Sequence, residues 1–334
     1  MDIDEFVALS VNHNVTDLHL CPRQPARWRR QGRLEVCQQA APAPSVFIEK
    51  WLTGTQRDML VSGGQVDFAL TTPGGVRLRG HAFKQYHGDS LALRFLPACS
   101  PSLSTLGIPA ALIPLLLASH GLILISGATG SGKTTTLAAM VEYQNQHRES
   151  HIVTLEDPIE YIHTPARCLI HQREPGLHCQ NYAAGLKAAL REDPDIIVLG
   201  ELRDAQTIRL ALNAAETGHL VMATLHTAEA VQALERIIDV FPCSEQIAVR
   251  TQLSRNLKAV LAQQLRPTLK GGRVVLFELL LNTPAIANML REGKLYQLPG
   301  ILQTGQQLGM QSFAQSVSQR IAQGIISADS AAGY

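Results

Sequence analysis

The chain has 334 residues, 46% of them apolar and 17% charged, which leaves room for about two domains with sizeable cores. Such a composition excludes wholesale disorder. Lys and Arg total 29 against 28 Asp and Glu, a formal net charge of +1, so the chain does not coat nucleic acid by bulk charge, although a local basic groove stays open.

The longest apolar stretch, Ala111 to Ser126, contains Pro114 and His120 and falls short of a bilayer span. The acidic opening Met1-Asp2-Ile3-Asp4-Glu5 lacks the basic-then-apolar order of a secretory signal. Six cysteines, at 21, 37, 99, 168, 179 and 243, stand far apart with no C-x-x-C pair. That spacing fits isolated reduced thiols in a cytosolic protein, not a zinc or disulfide framework.

Residues 1–97 read as a small α+β domain. Ile3, Phe6, Val7 and Val11 recur at helical spacing, and Val46, Ile48, Trp51 and Leu52 open a second helix. Short strands are expected at 17–20 and 26–29, with a turn at Gly32. Alternation over 66–72, the turn signal Pro73-Gly74-Gly75, and strands at 76–86 and 90–96 complete an antiparallel sheet with helices on one side. Residues 98–109 hold two prolines, three serines and a glycine and read as a linker to a second domain over 110–334.

Beyond the linker, strands and helices alternate. Apolar runs at 121–126, 151–155, 195–199 and 219–225 have the length of strands buried on both faces, with helices between them at about 133–148, 181–192, 204–217 and 228–240. The expected fold is α/β, a parallel sheet flanked by helices. The remainder reads as mostly helical, on a stripe of Val249, Leu253, Leu257, Val260, Leu261 and Leu265, with one further strand at 273–281.

Gly127-Ala128-Thr129-Gly130-Ser131-Gly132-Lys133-Thr134 matches the G-x-x-x-x-G-K-[ST] pattern, and Thr135 follows it into the helix. Average composition yields one such match by chance in roughly 1% of chains this long, and here it also ends an apolar strand and opens a helix. Glycine freedom lets successive amides converge on phosphate oxygens, and the helix points its positive end at the same anion. Lys133 then reaches the β/γ-phosphates of ATP and the Thr134 hydroxyl is placed for Mg²⁺.

Ligands of an open parallel sheet gather beyond the carboxyl ends of its strands. There the sequence sets Glu156-Asp157-Pro158-Ile159-Glu160, Gly200-Glu201 and His226, each after a different strand. Glu201 is assigned to the Mg²⁺ and water shell, and Glu160 to activation of the attacking water. For Glu156 and Asp157 the alternative is a capping role, the commoner job for an acid at a turn. His226 is the candidate γ-phosphate sensor; His219, seven residues earlier, is either a second site histidine or a structural one bonded to backbone.

Four ordered segments carry a resemblance: GATGSGKTTT (127–136), TLEDPIEY (154–161), IIVLGELRD (196–204) and AETGHLVMATLHT (215–227). They resemble the Walker A, Asp box, Walker B and His box of the secretion ATPase superfamily, specifically its type IV pilus retraction (PilT-like) ATPases. The opening DIDEFVALSVNHNVTDLHL and QTGQQLGMQSF (303–313) also fit, so the likeness spans nearly the whole chain. It implies a PAS-like amino-terminal domain, a RecA-like P-loop domain and a homohexameric ring with Mg²⁺-ATP at subunit interfaces. It also implies action on a platform protein at the cytoplasmic face of the inner membrane. Arginines of the amino-terminal domain, matching Arg77, Arg79 and Arg94 here, are implied to reach the nucleotide, as guanidinium groups suited to phosphate charge.

The four-cysteine insert and the extra amino-terminal domains of pilus-extension and type II secretion members are missing, which favours the retraction branch. The retraction signature AIRNLIRE reads AIANMLRE over 285–292, so Ala287 replaces an arginine. That departure keeps a second reading open, a nucleotide-binding assembly adaptor that no longer drives retraction. A DNA-handling motor is a third, which near-neutral charge and the lack of a basic-aromatic tract disfavour; no stable nucleic-acid partner is expected.

Overall fold

The computed structural model describes residues 2–30, 32–97 and 99–331. Ala98, the first residue of the expected linker, and 332–334, the end of the expected second domain, lie outside them. The chain divides into two compact units: Met1–Cys99 with Pro158–Ile162, and Ser100–Asp157 with His163–Tyr334.

The first unit contains α1 (Ile3–Asn12), β1 (Asp17–Leu20), β2 (Arg27–Arg30), β3 (Arg33–Val36), α2 (Pro44–Trp51), α3 (Gly54–Gly63), β4 (Gln65–Thr71), β5 (Arg77–Gln85) and β6 (Gly88–Phe95). Its sheet has the order β3-β2-β1-β6-β5-β4, every pair antiparallel. Capping boxes start two of the helices: Asp2 with Glu5 for α1, and Thr53 with Gln56 for α3. The core gathers Phe6 and Val7 of α1, Phe47 and Ile48 of α2, and inward-facing Leu18, Leu20, Leu78, Leu91 and Leu93 of the sheet. Sequence periodicity missed α3, whose only buried residue is Leu60, and the four-residue edge strand β3.

The second unit contains α4 (Leu103–Leu106), α5 (Ile113–Leu116), β7 (Gly121–Ser126), α6 (Lys133–His147), β8 (His151–Leu155), β9 (Leu169–Arg173), α7 (Tyr182–Ala189), β10 (Ile196–Leu199), α8 (Ala205–Glu216), β11 (Leu220–Leu225), α9 (Ala230–Asp239), α10 (Cys243–Asn256), β12 (Leu257–Pro267), β13 (Arg273–Leu281), α11 (Pro284–Glu292), α12 (Leu298–Thr304) and α13 (Phe313–Ala322). Its sheet runs β13-β12-β7-β11-β10-β8-β9, parallel throughout except for the β12–β13 hairpin. This is the expected α/β fold. Both faces of the sheet are buried, and residues alternate between two cores. Leu122, Leu124, Ile197, Leu199, Val221, Ala223 and Leu225 face one; Ile123, Ile125, Ile196, Val198, Leu220 and Met222 face the other. That double burial explains why these strands read as unbroken apolar runs.

One expectation is corrected. Residues 257–267 form β12, not helix. Leu257, Val260, Leu261 and Leu265 happen to fall at helical intervals, but a strand buried on both faces is apolar at both parities, and periodicity cannot separate the two cases. Within the expected linker only Leu103–Leu106 is helical, capped by Ser102, and Leu103 and Ile108 are buried in the second unit's core. All six cysteines are free thiols. Among the described residues no helix is long and apolar enough to cross a membrane.

Gly80 on β5 lies directly opposite Phe68 on β4, and a Cβ at Gly80 would stand 2.1 Å from the phenyl ring. Gly80→Ala should therefore destabilise the protein by about 1–3 kcal/mol through overpacking, read as a lowered urea midpoint. Phe68→Leu in the same chain should recover part of that loss.

Candidate functional site: a phosphate loop and its rim

Register brings the site together. Ser126, the last residue of β7, pairs with Leu225, the last of β11, so the phosphate loop and His226 leave the sheet side by side. Leu199 of β10 pairs with Ala223 of β11 and with Leu155 of β8, which sets Gly200-Glu201 and Glu156 on the same rim.

The loop 127–132 joins β7 to α6, with Ala128, Thr129 and Gly130 exposed and Thr134 and Thr135 half-buried in the first helical turn. Gly127 sits at φ +152°, and a Cβ there would fall 2.5 Å from the Gln263 carbonyl and 2.4 Å from Ser131 Oγ, so only glycine fits. Gly132 precedes α6 in the left-handed region. Lys133 Nζ donates to the carbonyls of Gly127 (2.7 Å) and Ala128 (3.0 Å) and to His226 Nδ1 (3.2 Å). With Nδ1 accepting, the imidazole proton sits on Nε2, which faces Glu201 Oε1 at 3.2 Å. Glu201 Oε2 in turn accepts from Arg203 Nη2 and Nε at 2.7 and 2.8 Å. A continuous line, Lys133–His226–Glu201–Arg203, therefore crosses three strand ends.

Burial pushes the Lys133 ammonium below its usual pKa, partly offset by the negative charge of Glu201. Burial also opposes ionisation of Glu201, but the hydrogen bond and charge of Arg203, with the hydrogen bond from His226, outweigh it, so its carboxyl lies below the usual range. Burial drives the Tyr182 phenol up, as do the acids Asp157, Glu201 and Glu156, against Arg203; it stays protonated beside Gly200, whose Cβ would lie 3.0 Å from the hydroxyl. Among the described residues no group of three or more His, Cys, Asp or Glu could hold a metal ion by itself.

The sequence-derived candidates separate. Lys133, Glu201 and His226 meet. His219 does not join them: it precedes β11 at the opposite end of the strand, where its Nδ1 bonds the Ala214 carbonyl at 3.0 Å. Glu156 is turned inward and accepts from Thr154 Oγ1 (2.7 Å) and Gln172 Nε2 (3.0 Å), while Asp157 is exposed; neither is a helix cap. Glu160 belongs to the 158–162 segment grouped with the first unit. In that unit Arg77 Nη2 donates to the Ile159 carbonyl at 2.9 Å. Arg79 and Arg94 are cross-strand neighbours, and Arg94 Nε donates to Asp17 Oδ1 at 2.8 Å.

Three site residues escaped sequence reading. Arg203 was visible in GELRD but carried no spacing signal of its own. Tyr182 begins α7 and resembles any half-buried aromatic. Gln263 lay within the segment misread as helix; it is fully buried on β12, and its Nε2 donates to the Ser131 carbonyl at 2.7 Å, pinning the phosphate loop from below. Gln263→Leu should release that carbonyl at a cost of about 1–3 kcal/mol. Amide hydrogen exchange should quicken over residues 128–132 and stay unchanged in β4–β6.

The family model described as "Type II/IV secretion system protein" matches residues 55–271. The chain is 58% identical over 324 residues to the uncharacterized protein YggR of Escherichia coli K12, covering 97% of this chain and 99% of YggR. It is 40% identical over 334 residues to the "Type IV pilus retractation ATPase PilT" of Pseudomonas aeruginosa, covering 99% and 97%. Its fold superposes on a solved structure of the pilus retraction motor PilT with bound ADP at a TM-score of 0.93 and 38% identity, covering 99% of this chain and 96% of that one. The chain therefore belongs to the type II/IV secretion system protein family, as a PilT-like secretion ATPase.

Proposed function

We propose that this protein is a Mg²⁺-ATP-hydrolysing motor of a type IV pilus or type II secretion-like machine, and that it works in pilus retraction. The observation that carries this reading is the Lys133–His226–Glu201–Arg203 line at the mouth of the phosphate loop. The loop amides and the Lys133 ammonium suit the oxygens of a triphosphate. Similarity to PilT over nearly the full length of both chains supports the pilus assignment.

The donors fit Mg²⁺: the Thr134 hydroxyl in the first turn of α6 and an ionised Glu201 carboxylate are hard oxygen ligands, and this ion takes only one or two protein carboxylates beside phosphate and water. When bound, it would neutralise charge between the β- and γ-phosphates. Thr135 and the loop residues from Gly127 to Lys133 hold the phosphates. Glu201 orients water, Glu160 accepts a proton from the attacking water, and His226, bridging Lys133 to Glu201, senses the γ-phosphate. Arg77, Arg79 and Arg94 complete the pocket of a neighbouring copy in a homohexamer at the inner-membrane platform. Two arginines set directly opposite each other on β5 and β6 repel, with Asp17 beside only one of them; a row of this kind favours an anionic visitor.

Ala287 on α11 favours a second reading, an adaptor that binds nucleotide without driving retraction. Restoration of filament shortening in a retraction-deficient strain carrying this protein excludes the adaptor; ATPase activity without shortening excludes the retraction motor.

Lys133→Ala should abolish ATP binding in a filter or fluorescence assay. Glu201→Gln and Glu160→Gln should bind ATP but lower kcat by about 10²-fold or more; normal turnover in Glu160→Gln would remove it from the mechanism. Phosphate charge restores the proton that burial tends to strip from Lys133, so nucleotide binding should take up a proton at alkaline pH. Affinity for ADP should accordingly fall as pH rises through the lowered pKa of Lys133. Calorimetry in two buffers of different ionisation enthalpy measures that uptake directly.

A further inference from the structure

Helix α9, which follows the His226 turn, starts without help from its own cap. Glu229 stands at the N-cap in extended conformation, yet its side chain makes no cap hydrogen bond. The amide of Ala230, the first helical residue, instead donates to Glu278 Oε1 at 2.9 Å. Glu278 lies on β13, 8% exposed, and its carboxylate also accepts from the backbone amide of Phe313, the first residue of α13. One buried side chain therefore occupies the positive ends of two helices. Burial pushes its pKa up, and so does Glu229; the Ala230 and Phe313 amides pull it down.

The turn from His226 to Glu229 is tied at both ends. Ser126 Oγ, at the end of β7, donates to the Thr227 carbonyl at 3.0 Å, and Glu278 holds Ala230. The β12–β13 hairpin pairs Ala262 with Glu278 and Gln263 with Phe277. Its two faces thus serve two loops: Gln263 on one face grips the phosphate loop, and Glu278 on the other grips the His226 turn.

We propose that Glu278 is a positioning residue for His226: by capping α9 from a neighbouring strand, it fixes the turn that sets the imidazole between Lys133 and Glu201. The proposal rests on the reading of that rim as the hydrolytic site. Its test is a double-mutant cycle in ATP hydrolysis by the full-length protein, comparing wild type, Glu278→Ala, His226→Ala and the double variant, with Lys133→Ala as control and circular dichroism to follow folding. Glu278→Ala should lower kcat by about 10- to 100-fold, since a displacement of about 1 Å costs this much, with a smaller change in KM. In the His226→Ala background it should lower kcat by less than about twofold. Glu278→Gln, which keeps one acceptor oxygen, should recover part of the activity.

Equal losses in both backgrounds would overturn the proposal. If Glu278→Ala loses helical signal, the cycle is run with Glu278→Gln, and equal losses there overturn it likewise. Hydrolysis that survives Lys133→Ala would sink the site reading and the proposal together, whereas Lys133-dependent hydrolysis with additive losses would sink the proposal alone.

Discussion

The parallel register of β7, β10 and β11 is the constraint from which the rest of the site follows. Lys133, Glu201 and His226 come from three separate stretches of chain, and nothing local holds them together. Their meeting requires Ser126 beside Leu225 and Ala223 beside Leu199. A slip of one residue would exchange the two faces of a strand, moving Leu122 and Leu124 into the core meant for Ile123 and Ile125. Because both faces are close-packed, side-chain shape resists the slip twice over. The apolar interior thereby supplies the accuracy that a phosphate site needs.

On that frame the electrostatics are self-limiting. A buried lysine and a partly buried carboxylate each lose hydration, and each recovers some stability through the imidazole between them and through Arg203. Lys133 is also tied to two loop carbonyls, acceptors that do not neutralise its charge. A triphosphate offers what these acceptors lack, full negative charge in a setting of low dielectric. Affinity for anions and the depressed pKa of Lys133 are thus two consequences of one desolvation.

Much of this was legible beforehand, for physical reasons that can be named. The phosphate loop announces itself because glycine, lysine and threonine have little freedom to be replaced there, and the strand-end rule then located Glu201 and His226 without any contact information. The rule has no power over residues that arrive from elsewhere in the fold. Gln263 and Glu278 lie inside strands, 132 and 48 residues from the backbone groups they hold. Gln263 was further hidden because β12 imitates helical spacing. Glu160 illustrates a different limit: it follows its strand in sequence but is packed with the other unit, a partition that no local pattern encodes.

The β12–β13 hairpin, of which only β13 was expected from the sequence, also changes how the carboxyl-terminal helices relate to the chemistry. Helix α13 and the segment just before it are joined to β13 at several points: Ser316 Oγ accepts the Phe277 amide, Gln311 pairs with Leu279, and Glu278 takes the Phe313 amide. Through that last carboxylate, α13 and the His226 turn share one acceptor. A shift of α13 away from β13 would change the balance of bonds at Glu278 and hence the hold on Ala230. A motor needs such a link, because force reaches the nucleotide only through contacts that differ between two states. Ala287 lies on α11 in the same carboxyl-terminal region, whereas the Lys133–His226–Glu201 line is drawn from the phosphate loop and the ends of β10 and β11. The departure from the retraction signature therefore falls among the carboxyl-terminal helices and outside that line.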